Sequence, residues 1–316
     1  TAQGCRQAIY GRFASDSQSE SRRLHPAREF FRNLLTGSAR VSVGVQFFLT
    51  QGLPMGLFFL LMDVQGHRKL GCEECLKPEL LGFDFTMAFQ PVIDAETRSV
   101  YSHEALVRGP NGEGATSVLA QVNEANRYRF DQTCRVKAID AAARLGLRTS
   151  LNINFMPGAI YNPQTCIRTT LEAAEKYGFP KERIVFEVTE GERVADSNHL
   201  RAIFAEYRKH GFQTAIDDFG AGFAGLNLLA EFQPEIVKLD MALIRQLDTD
   251  RVRRVIVGAI HQACTELGIR VVAEGVESIA EYQVLRQMGV RYFQGYLFAR
   301  PALDPMSVSV HIPPTT

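Results

Sequence analysis

The stretch Thr214-Ala215-Ile216-Asp217-Asp218-Phe219-Gly220-Ala221-Gly222-Phe223 runs a short apolar segment straight into two adjacent carboxylates and a loop with two glycines. Such a run suits a strand buried on both faces. Two acids at its end cannot be core, because an unpaired buried carboxylate is too costly. Neighbouring strand side chains point to opposite faces, so two acids converge only where the strand stops and the backbone turns. Taken alone, the same residues could cap a helix and form a solvated turn. The flanking sequence decides between these readings.

On both sides, strand and helix signals alternate from Phe83 onward. Phe85–Asp94 and Val100–Arg108 read as strands separated by Glu96-Thr97-Arg98. A helix follows from Asp131, taken as its N-cap, to Leu145, with Gly146 as stop. Next come a strand over Ser150–Phe155, a helix over Pro163–Tyr177 and a strand over Ile184–Thr189. Leu200, Ile203, Phe204 and Tyr207 fall at helical spacing before Gly211. Gln213–Asp218 and Ile236–Asp240 are strands. The helix after them carries Val252, Val255, Ile256, Ala259, Ile260, Ala263 and Leu267 on one face. Arg270–Ala273, a helix near Ile279–Met288 and Tyr292–Phe298 complete the series. About eight strands in roughly 220 residues is the size of a TIM-type barrel. An open doubly wound sheet is the rival.

The polar residues within these strands follow a pattern. Glu104, Asn152, Glu187, Asp217, Asp218, Lys238, Asp240, Glu274 and Gln294 sit in or just after apolar strand segments. In a barrel those positions converge at the C-terminal mouth, where active sites lie. Five carboxylates and an amide cannot share a small mouth without compensating cations. Oxygen ligation without His or Cys selects Mg²⁺ or Mn²⁺ over zinc, and the ligand number suits two ions. Two such ions serve in-line phosphoryl displacement. Lys238 then reads as a group that orients or deprotonates the attacking water, with a pKa lowered by the ions beside it. Arg108 reads as a phosphate fork. The residues thus point to metal-dependent phosphoester hydrolysis.

The chain as a whole sets outer limits. With 35 Lys+Arg against 35 Asp+Glu, its charge balance favours no nucleic-acid polymer as partner. Cys134, Cys166 and Cys264 fall in helical patterns and read as small core residues, which fits a reducing cytoplasm. Residues 1–82 form an N-terminal segment of poorly defined character, 83–306 the barrel and 307–316 a tail. Val41–Met62 is uncharged and long enough for a membrane helix. Pro54 in its middle and Ser42, Gln46, Thr50 and Gln51 argue against a span. Cys72 and Cys75 have the spacing of half a zinc site, but with His67 as a third ligand at most they read as free thiols. Thr1 is not an initiator methionine, and Met55 or Met62 is a candidate start.

At its strand ends the sequence resembles an EAL-domain cyclic di-GMP phosphodiesterase. The resemblance rests on Phe89-Gln90-Pro91-Val92-Ile93-Asp94, Glu104-Ala105-Leu106-Val107-Arg108, Leu151-Asn152-Ile153-Asn154 and Glu187-Val188-Thr189-Glu190. It continues through the opening stretch, Lys238-Leu239-Asp240, Ala273-Glu274-Gly275-Val276-Glu277 and Gln294-Gly295-Tyr296-Leu297-Phe298-Ala299-Arg300-Pro301. Each motif is weak alone; in this order they are specific.

The resemblance implies a barrel whose first strand runs antiparallel to the others. It implies hydrolysis of cyclic di-GMP to linear pGpG with Mg²⁺ or Mn²⁺. Metal ligands carry over to Glu104, Asn152, Glu187, Asp217, Asp218 and Glu274. Lys238 takes the water-activating role, and Glu190 holds the loop after Asp218. Gln90, Leu106, Arg108, Asp240, Glu277 and Gln294 line the substrate site. Family members often dimerise near that loop, so a homodimer is a further expectation. The chain departs from the usual pattern at Gly109, Asn154 and Ala224-Gly225, none of them a metal ligand. The alternatives to an active enzyme are a silent cyclic di-GMP receptor and a dimeric regulatory scaffold.

Overall fold

The computed structural model describes residues 81–189, 197–222 and 225–314, which belong to one compact unit, Arg68–Thr316. The expectations for Val41–Met62, for Met55, Met62, His67, Cys72 and Cys75, and for Glu190 fall outside the described residues.

Eight strands close into one barrel in chain order. They are β1 (Thr86–Asp94), β2 (Ser99–Arg108), β3 (Ser150–Asn154), β4 (Ile184–Thr189), β5 (Gln213–Phe219), β6 (Ile236–Leu239), β7 (Arg270–Ala273) and β8 (Tyr292–Phe293). β1 runs antiparallel to both β2 and β8. All the other pairs are parallel. This is the expected TIM-type barrel with a reversed first strand, and closure excludes the open sheet.

The reversal has a local cause. Only the short turn Ala95–Arg98 joins β1 to β2, and a tight turn can make only an antiparallel pair. Asp94 Oδ1 accepts the N–H groups of Glu96 at 3.0 Å and Thr97 at 3.4 Å, and Arg98 turns the corner at φ 53°. Most later connections carry helices, which is what parallel neighbours need. These are α1 (Ala115–Leu119), α2 (Arg127–Arg144), α3 (Pro163–Tyr177), α4 (Ser197–Lys209), α5 (Gly225–Glu231), α6 (Met241–Ile244), α7 (Arg251–Glu266) and α8 (Ile279–Gln287). Their ends follow capping chemistry. Asn162 caps α3 through the Thr165 N–H, Asp250 caps α7, and Ser278 with Glu281 makes a full capping box on α8.

Two helix expectations need correction. Asp131 is not an N-cap: α2 starts at Arg127, and Asp131 lies buried in its second turn. Its carboxylate pairs with Arg135 one turn on, at 2.7 Å, and accepts the Met156 N–H at 2.9 Å. One partner is a neighbour along the same helix and the other, Met156, is tertiary, and together they outweigh the free N–H groups of a helix start. The second correction concerns α7. Val257 and Cys264 seat it on the barrel, while Val252, Val255, Ile256 and Leu267 are 66%, 59%, 42% and 53% exposed. Its apolar set is wider than the contact it makes.

Cys134, Cys166 and Cys264 are free and buried, as expected. A small apolar layer of Val92, Val185, Ala215, Ile236 and Val272 fills the barrel interior, with Tyr101 and Tyr292 packed against it. Beyond Ser307 the chain stays on the barrel: the His311 N–H donates to the Phe298 carbonyl at 2.9 Å, and Val310 and Ile312 pack against the core.

Candidate active site

Most inward apolar residues of the barrel stand two positions before a polar one. Val185 precedes Glu187, Ala215 precedes Asp217, Ile236 precedes Lys238 and Val272 precedes Glu274. On the reversed β1, Gln90 comes two positions before Val92. The two-residue period of a strand keeps each pair on one face. The polar residues therefore form a layer directly above the apolar one. Register aligns the layer: Gln90 lies opposite Glu104, Glu104 opposite Asn152, and Asn154 opposite Glu187.

Lys238 forms its floor and is fully buried. Its Nζ lies 3.2 Å from Glu104 Oε2, 3.1 Å from Glu187 Oε2, 3.0 Å from Asp217 Oδ1 and 2.7 Å from Glu274 Oε1. Burial works against its charge, but Asp217, Glu104, Glu187 and Glu274 together outweigh burial and hold its pKa well above the ordinary value. The lowering expected of Lys238 was for a site loaded with two ions; for the protein by itself its carboxylate neighbours set the opposite direction.

The acids feel the same crowding. Burial raises the Glu187 pKa; Lys238 pulls it down, while Glu104 and Asp217 add to the rise. Glu274 is raised by burial and then by Asp217. Asp218 is pushed up to about 6 by burial, then by Asp217 and Asp240. Asp218 sits at φ 53°, a left-handed conformation that short polar residues tolerate. This turn is what lets both acids of the pair line the mouth. Gly220 follows at φ 97°, where a Cβ would collide with the Leu243 side chain.

The donor set fits hard cations. Oxygens of Glu104, Glu187 and Asp217 lie within 4.8 Å of one another, and so do those of Asp217, Asp218 and Glu274. Asp217 belongs to both groups. Asn152 donates its Nδ2 to Glu187 Oε1 at 2.7 Å, and its buried Oδ1 has no hydrogen-bond partner. A buried acceptor left over beside carboxylates is what a cation site requires.

Above this layer opens a cavity of about 280 Å³. The predicted Gln90, Leu106, Asp240, Glu277 and Gln294 line it, together with Met241 and Tyr296, which sequence reasoning missed. Gln294 Nε2 donates to Glu104 Oε2 at 2.7 Å and to Gln90 Oε1 at 3.2 Å. Arg108 does not line the cavity; its Nη1 folds back onto the Val107 carbonyl at 2.7 Å. Tyr296 is half exposed, with the Arg300 guanidinium carbon 4.1 Å from its ring centre. Asn154 was also missed as a site residue: its Nδ2 donates to Glu104 Oε1 at 2.9 Å. Its signal was available, since it stands two residues from Asn152 on the same strand face.

Comparison with known proteins bears on this arrangement. The EAL domain family matches residues 76–301. The chain is 32% identical over 242 residues to the cyclic di-GMP phosphodiesterase PdeL of Escherichia coli K12, covering 72% of this chain and 65% of PdeL. It is 31% identical over 218 residues to the blue light- and temperature-regulated antirepressor BluF of the same strain, covering 69% of this chain and 54% of BluF. The chain thus spans less than two thirds of the length of either relative. Among solved structures, a standalone EAL protein from Vibrio cholerae O395 in its c-di-GMP-bound form shares 56% identity at a TM-score of 0.70, covering 72% of this chain and 96% of that one. Klebsiella pneumoniae BlrP1 in a manganese and cyclic di-GMP complex shares 36% identity at a TM-score of 0.66, covering 69% of this chain and 56% of that one. With the family matched over most of its length and the barrel and its acidic layer in place, this chain belongs to the EAL domain family.

Proposed function

We propose that this chain is a metal-dependent phosphodiesterase that hydrolyses one phosphodiester bond of cyclic di-GMP, giving linear pGpG and lowering a bacterial second messenger. The observation that carries the reading is Asp217 shared between two carboxylate groups, beside the unpartnered Asn152 Oδ1. Relatives that are named as cyclic di-GMP phosphodiesterases, or solved with that ligand, support the same substrate.

Glu104, Asn152, Glu187, Asp217, Asp218 and Glu274 would hold two ions, Mg²⁺ or Mn²⁺. When bound, the ions supply charge neutralisation at the phosphodiester and acidify water there. Lys238 would orient the attacking water through its Nζ, and to act as a base it must first release the proton that its carboxylate neighbours hold on it. Gln90, Leu106, Asp240, Glu277 and Gln294 position the substrate, and the exposed Tyr296 ring offers a stacking face for a purine. Arg108 lies at the end of β2 and serves the substrate from outside the cavity. Glu190 keeps the proposed role of holding the loop after Asp218.

The catalytic domain runs over 83–306, in a cytoplasmic setting that suits its free thiols. Among the described residues no helix is long and apolar enough to cross a membrane. A homodimer forms through the exposed face of α7 rather than at the loop after Asp218 that the family resemblance implies. In an antiparallel pairing of two such helices, Arg251 at one end meets Glu266 at the other, so charge as well as apolar surface is complementary.

The test is incubation of the protein with cyclic di-GMP and Mg²⁺, with chromatographic detection of pGpG. Turnover supports the reading. Binding without turnover would make the chain a receptor, and no binding would make it a scaffold.

A further inference from the structure

We infer that Asn154 is a positioning residue for the Glu104 carboxylate, and that Mn²⁺ affinity depends on its amide. The inference rests on the phosphodiesterase reading. Glu104 Oε2 accepts from Gln294 Nε2 at 2.7 Å and from Lys238 Nζ at 3.2 Å, while Oε1 accepts from Asn154 Nδ2 at 2.9 Å. Gln294 and Lys238 act on one oxygen only, which leaves the carboxylate free to swing about it. A donor on the second oxygen removes that freedom. A carboxylate only accepts, so chemistry sets which end of the amide faces it.

β3 thereby places two amides on one face for two different acids: Asn152 serves Glu187, and Asn154, two residues on, serves Glu104. Behind Asn154 lies a second cavity of about 250 Å³, bordered mostly by apolar side chains that include Ala105, Leu106, Phe130, Ile153 and Phe155. The amide is therefore the group on that side which satisfies Oε1. Partners that orient a metal-binding carboxylate typically govern about 10- to 100-fold in metal affinity.

The experiment uses the full chain and the variants Asn154→Leu and Asn154→Ser. The first keeps the bulk and removes the donor. The second keeps a donor on a shorter arm and serves if leucine is not tolerated. Mn²⁺ binding is titrated by electron paramagnetic resonance without substrate, alongside thermal unfolding and steady-state turnover of cyclic di-GMP. Asn154→Leu is expected to bind Mn²⁺ about 10- to 100-fold more weakly. At saturating Mn²⁺ its kcat should fall while KM for cyclic di-GMP stays near the wild-type value. Asn154→Ser should fall between the two. Wild-type Mn²⁺ affinity in both variants overturns the inference, as does a loss of thermal stability with Mn²⁺ affinity unchanged. A wild-type chain that binds neither Mn²⁺ nor cyclic di-GMP instead sinks the phosphodiesterase reading, and this inference with it.

Discussion

The Lys238 ammonium nitrogen on β6 lies 2.7 Å from Glu274 Oε1, one residue past the end of the adjacent parallel strand β7. It is the shortest of four contacts that this one cation makes with carboxylates. Lys238→Ala leaves every proposed metal ligand in place. Substrate and metal should still bind, while turnover drops by about 10²- to 10⁴-fold, the usual reach of a positioned acid–base group. The measurement is turnover across a Mg²⁺ titration. Recovery to the wild-type rate at high Mg²⁺ would reduce Lys238 to a structural charge.

Metal choice follows from the all-oxygen donor set. Mg²⁺ or Mn²⁺ should support turnover, and Ca²⁺ should inhibit it, since its longer bonds and looser geometry misplace the attacking water. Assays of metal-stripped protein with each ion in turn check this. Full activity with Ca²⁺ alone contradicts it.

His103 gives a stability prediction. It is buried on β2, its Nδ1 lies 2.8 Å from Thr149 Oγ1, and burial lowers its pKa from 6.5 to about 4. The folded chain therefore takes up this proton less readily than the unfolded chain. The contribution is fully present above the unfolded value and is lost as pH falls through the window between the two values, by up to about 3 kcal/mol. Thermal midpoints measured from neutral pH down to about pH 4.5 should fall in the wild type and fall less in His103→Asn. Parallel curves for the two proteins would count against the assignment.

Arg135 and Asp131 form a buried pair, with Arg135 also donating to Tyr207 Oη at 2.9 Å. Arg135→Met leaves the Asp131 carboxylate without its cation. The expected loss is about 3–5 kcal/mol of unfolding free energy. Replacing both partners with apolar residues should cost less than the single change. Denaturant melts of the single and double variants decide, and a double variant worse than the single would refute the pairing argument.

The α7 face predicts association. Val255 is exposed, so Val255→Asp should not unfold the chain, yet it should shift a dimer to monomer in sedimentation velocity. A wild type that is monomeric at tens of micromolar refutes the interface.

Much of the barrel was legible because its signals are local. Pro163 and Gly178 bracket α3, and Ile184–Thr189 is recovered residue for residue. The reversed first strand followed from the family resemblance, and the short turn after Asp94 explains it physically. The acids and Lys238 were readable because each stands in or just after an apolar strand segment, on the face set by a two-residue period.

What the sequence by itself determined is therefore the order of elements and the inward set of polar residues, both governed by neighbours a few positions apart. Only the tertiary structure decided which of those residues meet. It gave the Asp131 carboxylate the Met156 N–H instead of a helix end and turned the apolar face of α7 outward. It also took Arg108 off the cavity and gave Glu104 the Asn154 amide. The protonation of Lys238 belongs here too. Its direction depends on four carboxylates, three on different strands and Glu274 just past a fourth, brought within 3.2 Å in a buried site. Coulomb energy depends on distance and on the surrounding medium, and a sequence states neither.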